Sequence, residues 1–298
     1  MTFAATLTAP AKINLFLRIL GRRADGYHEL DTLFLPLAEP RDVLEVTPGA
    51  PGSGLTLSCA DHALEGPDNL VVKAWRRYAE ATGFAPDLAV RLTKGIPTGA
   101  GLGGGSSDAA SMLLFLNAQA GAAALPGDRL STLAANLGAD VPFFLLGRPA
   151  RAGGIGDRLT PTEPDLDGLT LVLVCPDVRV PTAWPYARFD ETAAKDRPPT
   201  APGFLTSDER GTKNPSSLLP LTLFNDFENV VFPAFPELRR IKERLIAAGA
   251  AAAAMSGSGA SIFALFRQKE TALETARNLA RGQDRTYVQD FHWGVAKR

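Results

Sequence analysis

The sequence has 298 residues, of which 45% are hydrophobic and 21% are charged, and this is the composition of an ordinary globular protein. Its 31 Lys and Arg residues nearly balance 32 Asp and Glu residues, so it lacks the basic excess of a nucleic-acid-binding protein. The two cysteines are too few for a disulfide framework and, with three histidines, offer no metal-binding cluster. These counts predict a cytoplasmic protein of about two domains without a nucleic-acid partner.

Two segments decide whether the sequence predicts contact with a membrane. The first 20 residues lack the basic, then apolar, then small-residue order of a signal peptide. Residues 245–266 carry no charge over 22 positions, which is long enough to span a bilayer. Glycines and serines interrupt their alanines, however, so a buried helix, turn and strand is the better interpretation. We therefore expect no membrane partner.

The first half of the chain mixes strands and helices. Apolar runs bounded by Gly and Pro predict strands at residues 13–20, 43–47, 55–58 and 88–92. Apolar residues with helical spacing predict helices at residues 69–82, 107–120 and 128–137. Asp68 is the expected cap of the first helix, and Gly83 is its expected end.

The second half begins with a continuous apolar run at residues 169–175, which is typical of a central strand. Residues 181–223 are rich in Pro, Ser, Thr and charge, which predicts a long mobile insertion able to cover a site. Beyond it, the pattern predicts a helix at residues 236–248, a hairpin of two strands at residues 250–255 and 262–266, a helix at residues 269–281 and a final strand at residues 287–291. For residues 250–255 a helix stays open as the alternative, because alanine has a high helix propensity.

The densest functional signal is a glycine-rich loop that runs directly into a helix. Residues 97–108 contain five glycines, which let backbone amides approach a ligand closely. The N-terminus of the helix adds unpaired N–H groups and the positive end of its dipole. The segment is therefore predicted to bind a polyphosphate, with Ser106 or Ser107 helping to hold a magnesium ion. The alternative is a tight turn in which Ser107 only caps the helix, although that role needs a single glycine.

Two known nucleotide-binding loops share part of this pattern. No lysine follows the glycines, so the loop is not the common nucleoside-triphosphate loop. Gly99, Gly101 and Gly104 do satisfy the G-x-G-x-x-G spacing of dinucleotide-binding proteins. Pro97 interrupts the strand that should lead into the first glycine, and the expected acidic residue about 20 positions later is missing. A dehydrogenase therefore stays open as the second function class.

Three shorter motifs place polar residues where a ligand could meet them. Lys12 and Asn14 are two residues apart, so they share one face of the first strand. Tyr27 and His28 lie in a turn and suit stacking and hydrogen bonding to a planar base, although ordinary partly buried aromatics would look the same. Residues 254–261 form a second turn of small residues, which could approach an anion or simply pack closely.

Together, these segments resemble the kinase superfamily named for galactokinase, homoserine kinase, mevalonate kinase and phosphomevalonate kinase. The resemblance covers nearly the whole chain and rests on residues 10–15, 26–30, 101–110, 137–144 and 255–261. It implies an α+β fold with the active site between two domains. These are a ribosomal-S5-like nucleotide-binding domain at residues 1–162 and a ferredoxin-like domain at residues 163–298.

Within the superfamily, the chain is most similar to the branch of the non-mevalonate isoprenoid pathway. That branch implies ATP and Mg²⁺ as cofactors, and transfer of the γ-phosphoryl group to the 2-hydroxyl of methylerythritol in a cytidine diphosphate conjugate. Asp140 matches its catalytic base, and Lys12 matches the cation that holds the carboxylate and the hydroxyl.

The cytidine diphosphate conjugate is the expected partner, and the protein is expected to be a monomer or a homodimer. A sister kinase stays open as an alternative; an inactive binding module is disfavoured because Lys12 and Asp140 are both present.

The resemblance also implies two sets of binding residues. The substrate set, around the cytosine and the reacting hydroxyl, is Asn14, Tyr27, His28, Phe34, Thr182 and Tyr186. Tyr186 belongs to it because residues 182–186 replace a Thr-Pro-x-x-Phe segment whose Phe faces the cytosine in the family. The ATP set, in which Ser107 is the implied magnesium contact, is Asn69, Lys94, Pro97, Gly99, Gly101, Leu102, Gly103, Gly104, Gly105, Ser106, Ser107, Ser258 and Gly259.

Overall fold

A computed structural model describes residues 4–193, 223–280 and 284–291. Their strands are β1 (Ala5–Arg22), β2 (His28–Pro48), β3 (Leu55–Cys59), β4 (Leu88–Thr93), β5 (Ala150–Gly153), β6 (Arg158–Pro161), β7 (Thr170–Cys175), β8 (Phe224–Asn225), β9 (Ala252–Met255), β10 (Ile262–Phe266) and β11 (Arg285–Asp290). Their α-helices are α1 (Leu70–Thr82), α2 (Gly104–Gln119), α3 (Gly127–Ala135), α4 (Val141–Leu146), α5 (Ala183–Ala193), α6 (Glu228–Ala234), α7 (Pro236–Ala247) and α8 (Lys269–Ala280). The strands form two sheets, which pack against each other.

The first sheet has seven strands and is built around the long antiparallel hairpin of β1 and β2. β4 pairs with β2, and β3 lies parallel to β4 at one edge. At the other edge, β8 pairs in parallel with β1. Helices α1 to α4 pack on the outer face of this sheet around one apolar core. The mixed strand directions differ from the all-parallel dinucleotide-binding sheet, so the dehydrogenase alternative is wrong.

The second sheet has four antiparallel strands in the order β11-β7-β10-β9. Helices α6 and α7 connect β7 to β9, and α8 connects β10 to β11. This β-α-β-β-α-β plan is the ferredoxin-like arrangement, so the α+β fold expected from the resemblance is confirmed. Strand β7 is buried on both faces: Leu171 and Leu173 face the first sheet, while Val172 and Val174 face the helices. This explains the unbroken apolar run of β7.

Most predicted elements are present with small shifts of their ends. The hairpin predicted within residues 250–266 is confirmed as β9 and β10, and the helix predicted at residues 236–248 is α7. Helix α2 begins three residues before the predicted start, at Gly104. Helix α4 was not predicted, because its six residues are too few to show a helical period.

The structure corrects one expectation about local structure and part of another. Asn69 caps α1 instead of Asp68, since Asn69 Oδ1 accepts a hydrogen bond from the backbone N–H of Val71 at 2.8 Å. Asp68 pairs with Lys73 at 2.9 Å. The predicted insertion at residues 181–223 contains α5, and its residues 194–222 lie outside the described part of the chain.

Residues 245–266 contain the end of α7, a turn, and strands β9 and β10. In the described ranges of the chain, every helix is too short or too polar to cross a membrane.

Candidate active site

The glycine-rich loop begins where β4 ends and leads into α2. Gly99, Gly101 and Gly103 have φ angles of +72°, +74° and +73°, which side-chain-bearing residues rarely adopt. Gly103 is the N-cap of α2, so Ser107 lies inside the helix instead of capping it. The first backbone N–H groups of α2 have no partner within the helix. The loop therefore ends at a ready-made site for an anion.

A turn from the second half of the chain packs against this loop. Ser256 Oγ donates a hydrogen bond to the carbonyl oxygen of Gly101 at 3.0 Å. A Cβ atom added at Gly101 would lie 2.2 Å from the carbonyl oxygen of Ser256, so this contact requires glycine. Asn225 of β8 supports the turn, because its Nδ2 donates to the carbonyl oxygens of Met255 and Gly257 at 2.8 and 2.7 Å.

Lys12 and Asp140 meet beside the loop. Lys12 Nζ lies 3.4 Å from Asp140 Oδ2 and donates a hydrogen bond to Asn14 Oδ1 at 2.8 Å. The predicted common face of Lys12 and Asn14 is thereby confirmed. Asn14 Nδ2 donates to Thr32 Oγ1 at 2.8 Å, and the ring of Phe34 lies 4.8 Å from Lys12 Nζ. Lys12 is buried but the Asp140 side chain is 31% exposed, so its carboxylate is accessible to a substrate.

The turn between α3 and α4 determines the position of Asp140. The backbone N–H of Gly138 donates to the carbonyl oxygen of Ala134 at 3.2 Å, which closes the turn after α3. Asp140 then occupies the N-cap position of α4, and Pro142 lies in the first turn, where a backbone N–H is not needed. A local signal therefore places this carboxylate: a glycine after one helix and a proline at the start of the next.

Three charged residues lie beneath the loop, of which Asp42 and Asp108 are buried and Lys94 is partly buried. Lys94 Nζ contacts Asp42 Oδ2 and lies 2.8 Å from Asp108 Oδ2, and Asp42 Oδ1 accepts hydrogen bonds from the backbone N–H groups of Gly95 and Ile96. Burial raises the pKa of Asp108 to about 7, because the Lys94 charge only partly offsets it and Asp42 adds repulsion. Burial alone would lower the pKa of Lys94, but the two carboxylates outweigh it and raise that pKa. These contacts tie β2, the end of β4 and α2 together.

Aromatic residues from distant segments form the other end of the site. His28 is the first residue of β2, and its Nε2 lies 2.6 Å from Asp190 Oδ1 on α5. The ring of Tyr186, also on α5, lies 5.1 Å from the His28 ring. Burial and the charge of Asp140 raise the pKa of Tyr186 to about 12, so its phenol stays neutral beside the Asp140 carboxylate. Tyr27, in contrast, is 61% exposed.

These groups border one cleft with a volume of about 560 Å³. The predicted site residues line this cleft, with the exceptions of Tyr27, His28, Ser107 and Gly259. Tyr27 is exposed at the tip of the hairpin, and His28 is buried beside Tyr186. Ser107 is completely buried within α2, whereas Ser106 lines the cleft. Gly259 lies behind the second turn, where a Cβ atom would meet Met255 Sδ at 2.8 Å.

Asn69 lines the cleft, but its side chain is already bonded to the protein backbone. Besides capping α1, it donates from Nδ2 to the carbonyl oxygen of Leu64 at 2.7 Å. Its side chain therefore fixes the start of α1. Four apolar residues of the same cleft form an apolar slot. These residues are Leu64, Leu70, Leu92 and Ile96.

Sequence reasoning missed several polar residues of the site. Asp108 carried one signal, since it directly follows the paired serines of the loop. No sequence signal indicates the other three, because each lies far in sequence from the group that it contacts; they are Asp42, Thr32 and Asp190.

The arrangement combines an anion site, a lysine and carboxylate pair, and an aromatic end within one cleft. A backbone anion site holds phosphate without a covalent step. A carboxylate beside it can accept a proton from a hydroxyl group. The geometry is thus suited to the transfer of a phosphoryl group to an alcohol.

Comparisons with known proteins agree with this chemistry. Family models for the N-terminal and C-terminal domains of GHMP kinases match residues 69–148 and 212–284. A 4-diphosphocytidyl-2-C-methyl-D-erythritol kinase of Solidesulfovibrio magneticus is 50% identical over 282 residues, which is 95% of this chain and 95% of that protein. The kinase of the same name from Lawsonia intracellularis is 39% identical and covers 89% of each chain.

Solved structures show the same relationship. A crystal structure of 4-(cytidine 5'-diphospho)-2C-methyl-D-erythritol kinase matches with a TM-score of 0.73 and 36% identity, covering 95% of this chain and 98% of that chain. The homoserine kinase of Cytophaga hutchinsonii matches with a TM-score of 0.66 and 19% identity, over 97% and 95% of the two chains. At that lower identity, the likeness shows a common fold only.

Proposed function

The chain belongs to the GHMP kinases and, within them, to the 4-diphosphocytidyl-2-C-methyl-D-erythritol kinases, and we propose that it phosphorylates the 2-hydroxyl group of 4-diphosphocytidyl-2-C-methyl-D-erythritol with ATP. The observation that carries this proposal is the contact of 3.4 Å between Lys12 Nζ and Asp140 Oδ2 beside the glycine-rich loop. The pair adjoins the loop, because the backbone N–H of Lys12 donates to the carbonyl oxygen of Leu102 at 3.0 Å. In this role the enzyme makes a precursor in non-mevalonate isoprenoid biosynthesis.

The glycine-rich loop and α2 bind the phosphates of ATP. Backbone N–H groups at the start of α2 donate to phosphate oxygens, and the helix dipole favours their negative charge. Ser258 lies in the turn packed against the loop and lines the same cleft. The apolar slot near Asn69 holds the adenine, and the Asp42, Lys94 and Asp108 contacts keep the loop in place beneath it.

Asp140 and Lys12 perform the proton and charge chemistry. Asp140 accepts the proton of the 2-hydroxyl, which makes that oxygen a better nucleophile as the new O–P bond forms. Lys12 pairs with the carboxylate and attracts the negative charge of the reacting oxygens. Asn14 orients Lys12 through its hydrogen bond of 2.8 Å and contacts the methylerythritol part. Positioning and charge stabilisation supply most of the rate enhancement in such a transfer.

Two buried oxygen atoms fit a magnesium ion shared with the phosphates. Ser107 Oγ and Asp108 Oδ1 are buried without a hydrogen-bond partner among the described residues. Hydroxyl and carboxylate oxygens suit Mg²⁺, which is usually held by one or two protein groups and the phosphates of a nucleotide. We assign Ser107 and Asp108 to this role. When bound, the ion would neutralise charge on the phosphate oxygens.

The aromatic end of the cleft binds the cytidine part of the substrate. Tyr27 stacks on the cytosine from the hairpin tip, and Tyr186 faces it from α5, in place of the usual phenylalanine. His28 hydrogen-bonds to the edge of the base, while Thr182 and Phe34 complete the pocket. The ring contact of 5.1 Å between His28 and Tyr186 supports this arrangement.

Three further assignments complete the proposal. We place the boundary between a nucleotide-binding domain and a substrate-side domain at residues 162 and 163, between β6 and β7. The cytoplasm is the proposed compartment, and the two buried, unpaired cysteines Cys59 and Cys175 support it. The protein is proposed to act as a monomer or a homodimer.

A coupled ADP-release assay tests the proposed function. The enzyme is supplied with Mg-ATP and 4-diphosphocytidyl-2-C-methyl-D-erythritol, and parallel reactions contain homoserine, mevalonate or no acceptor. We expect turnover with the cytidine conjugate alone. Turnover with another acceptor would keep the phosphate site and reject the cytidine pocket. ATP binding without turnover of any acceptor would reject the kinase assignment.

A further inference from the structure

Asp190 connects the aromatic end of the cleft to the tip of the first hairpin. Its Oδ1 lies 2.6 Å from His28 Nε2, and its Oδ2 lies 3.5 Å from Arg22 Nη1. Arg22 is the last residue of β1 and is paired with His28 in the β1–β2 ladder. A single carboxylate on α5 thus bridges the ends of both strands. The contact with Arg22 is largely exposed and weak, so the contact with buried His28 is the informative one.

The contact with Asp190 determines which nitrogen of His28 carries the proton. An ionised carboxylate can only accept hydrogen bonds, so a separation of 2.6 Å requires a proton on Nε2. In the neutral imidazole ring, the other nitrogen is then unprotonated and is a hydrogen-bond acceptor. Asp190 therefore gives His28 a defined hydrogen-bonding character.

The acceptor nitrogen of His28 affects which base the site recognises. His28 packs against Tyr186, which lines the cleft, so the imidazole is next to the proposed site of the pyrimidine. Cytosine carries an amino group, a donor, at the position where uracil carries a carbonyl oxygen, an acceptor. An acceptor nitrogen pairs with the amino group and opposes the carbonyl oxygen.

We propose that Asp190 is a positioning residue, which holds His28 in the Nε2-protonated form and thereby makes the enzyme prefer a cytidine over a uridine conjugate. This inference rests on the proposed function, because it requires the base to bind beside His28. Asp190 itself does not touch the substrate. Its effect is on the orientation and the protonated nitrogen of the histidine ring.

Nitrogen-15 NMR of the histidine side chains tests the first part without any activity measurement. The chain has three histidines, so a sample labelled at histidine gives few imidazole signals, and a His28→Asn variant identifies those of His28. With the imidazole ring neutral, we expect the proton of His28 to be on Nε2 in the wild type. Asp190→Ala should lose this preference. A wild-type ring protonated at Nδ1, or one unchanged by Asp190→Ala, would overturn the inference.

Steady-state kinetics test the second part with a matched control on the same helix. Glu191 also lies on α5, but it is exposed and pairs with Arg188, so Glu191→Ala removes a carboxylate without affecting His28. In Asp190→Ala we expect the KM for the cytidine conjugate to rise about tenfold, because a hydrogen-bonding edge is left unpaired. The KM for ATP should not change.

The preference for the cytidine conjugate over its uridine analogue should fall by a similar factor, about tenfold. Asp190→Asn, whose amide oxygen can still accept from Nε2, should restore most of this preference and shows that the variant protein is folded. If wild-type enzyme uses the cytidine conjugate and Asp190→Ala behaves like Glu191→Ala, this inference is wrong while the proposed function stands. If wild-type enzyme does not use the cytidine conjugate, the proposed function itself is wrong.

Discussion

The two ends of the cleft are built in opposite ways. The phosphate end comes mainly from one continuous stretch, residues 94–108, and presents backbone N–H groups. The aromatic end comes from Phe34 of β2 and Tyr186 of α5, beside the tip of the β1–β2 hairpin, and it presents side chains. Backbone recognition needs glycines in sequence, whereas side-chain recognition needs distant residues brought together. The phosphate end can therefore be predicted from the local sequence, whereas the aromatic end depends on the tertiary fold.

The largest expected effect lies where the two ends meet, at Asp140. Asp140→Asn keeps the shape of the side chain but removes its capacity to accept a proton. We expect turnover to fall about 10²- to 10⁴-fold, the usual contribution of a general base. The KM for ATP should stay near the wild-type value, because Asp140 lies outside the phosphate loop. Steady-state kinetics measure both constants, and near-normal turnover would exclude Asp140 as the base.

A matched pair of glycine variants separates close approach from backbone conformation at the phosphate end. Gly99 and Gly101 both have positive φ angles, but only at Gly101 would a Cβ atom meet a backbone carbonyl oxygen, at 2.2 Å. Gly99→Ala should make ATP binding less favourable by the conformational penalty alone, about 1 kcal/mol. Gly101→Ala must also separate the loop from the second turn, so the KM for ATP should rise more than about tenfold. Equal effects of the two variants would show that the contact between loop and turn is unimportant for ATP binding.

At the aromatic end, the exposed Tyr27 gives a smaller effect. Tyr27→Ala should weaken binding of the cytidine substrate by about 1–3 kcal/mol, as loss of stacking on a base typically does. Tyr27→Phe keeps the ring and should bind normally. The KM for the cytidine conjugate, measured at saturating ATP, distinguishes the variants. An unchanged KM in Tyr27→Ala would place the cytosine elsewhere.

The last effect concerns the charged groups beneath the loop and appears in stability instead of activity. The pKa of Asp108 is raised from 3.8 to about 7, so between these values the native protein holds a proton that the unfolded chain has released. Its contribution to the free energy of unfolding is therefore present at low pH and is lost as the pH rises through this window. Asp108→Asn has no such dependence, so thermal melts should show its stability relative to wild type rising from about pH 4 to about pH 7. A constant difference across this range would contradict the raised pKa.

Sequence patterns predicted the fold best where one period persists over many residues. The continuous apolar run of β7 and the apolar face of α7 were both predicted, because a buried element has regularly spaced apolar residues in its own sequence. Helix α4 was missed because it is short, and α5 was missed because its polar composition is typical of a loop. Stability of such elements comes from packing against neighbours that the local sequence does not contain.

The candidate site divides in the same way. Lys12 and Asn14 could be predicted to act together because strand geometry fixes their common face, and the structure joins them at 2.8 Å. The pairs of Lys94 with Asp42 and of His28 with Asp190 span 52 and 162 residues of sequence, so no local pattern indicates them. The family resemblance named His28 but gave no partner for it.

The amino-acid sequence by itself determined the phosphate-binding loop, the order of most strands and helices, and the residues that carry the kinase resemblance. These features depend on backbone conformation and on periodic burial, both of which are encoded within a few neighbouring residues. The tertiary structure alone decided which charged groups pair beneath the loop and which carboxylate contacts His28. Such contacts depend on distances between segments far apart in the chain, and those distances are set only when the two sheets pack together.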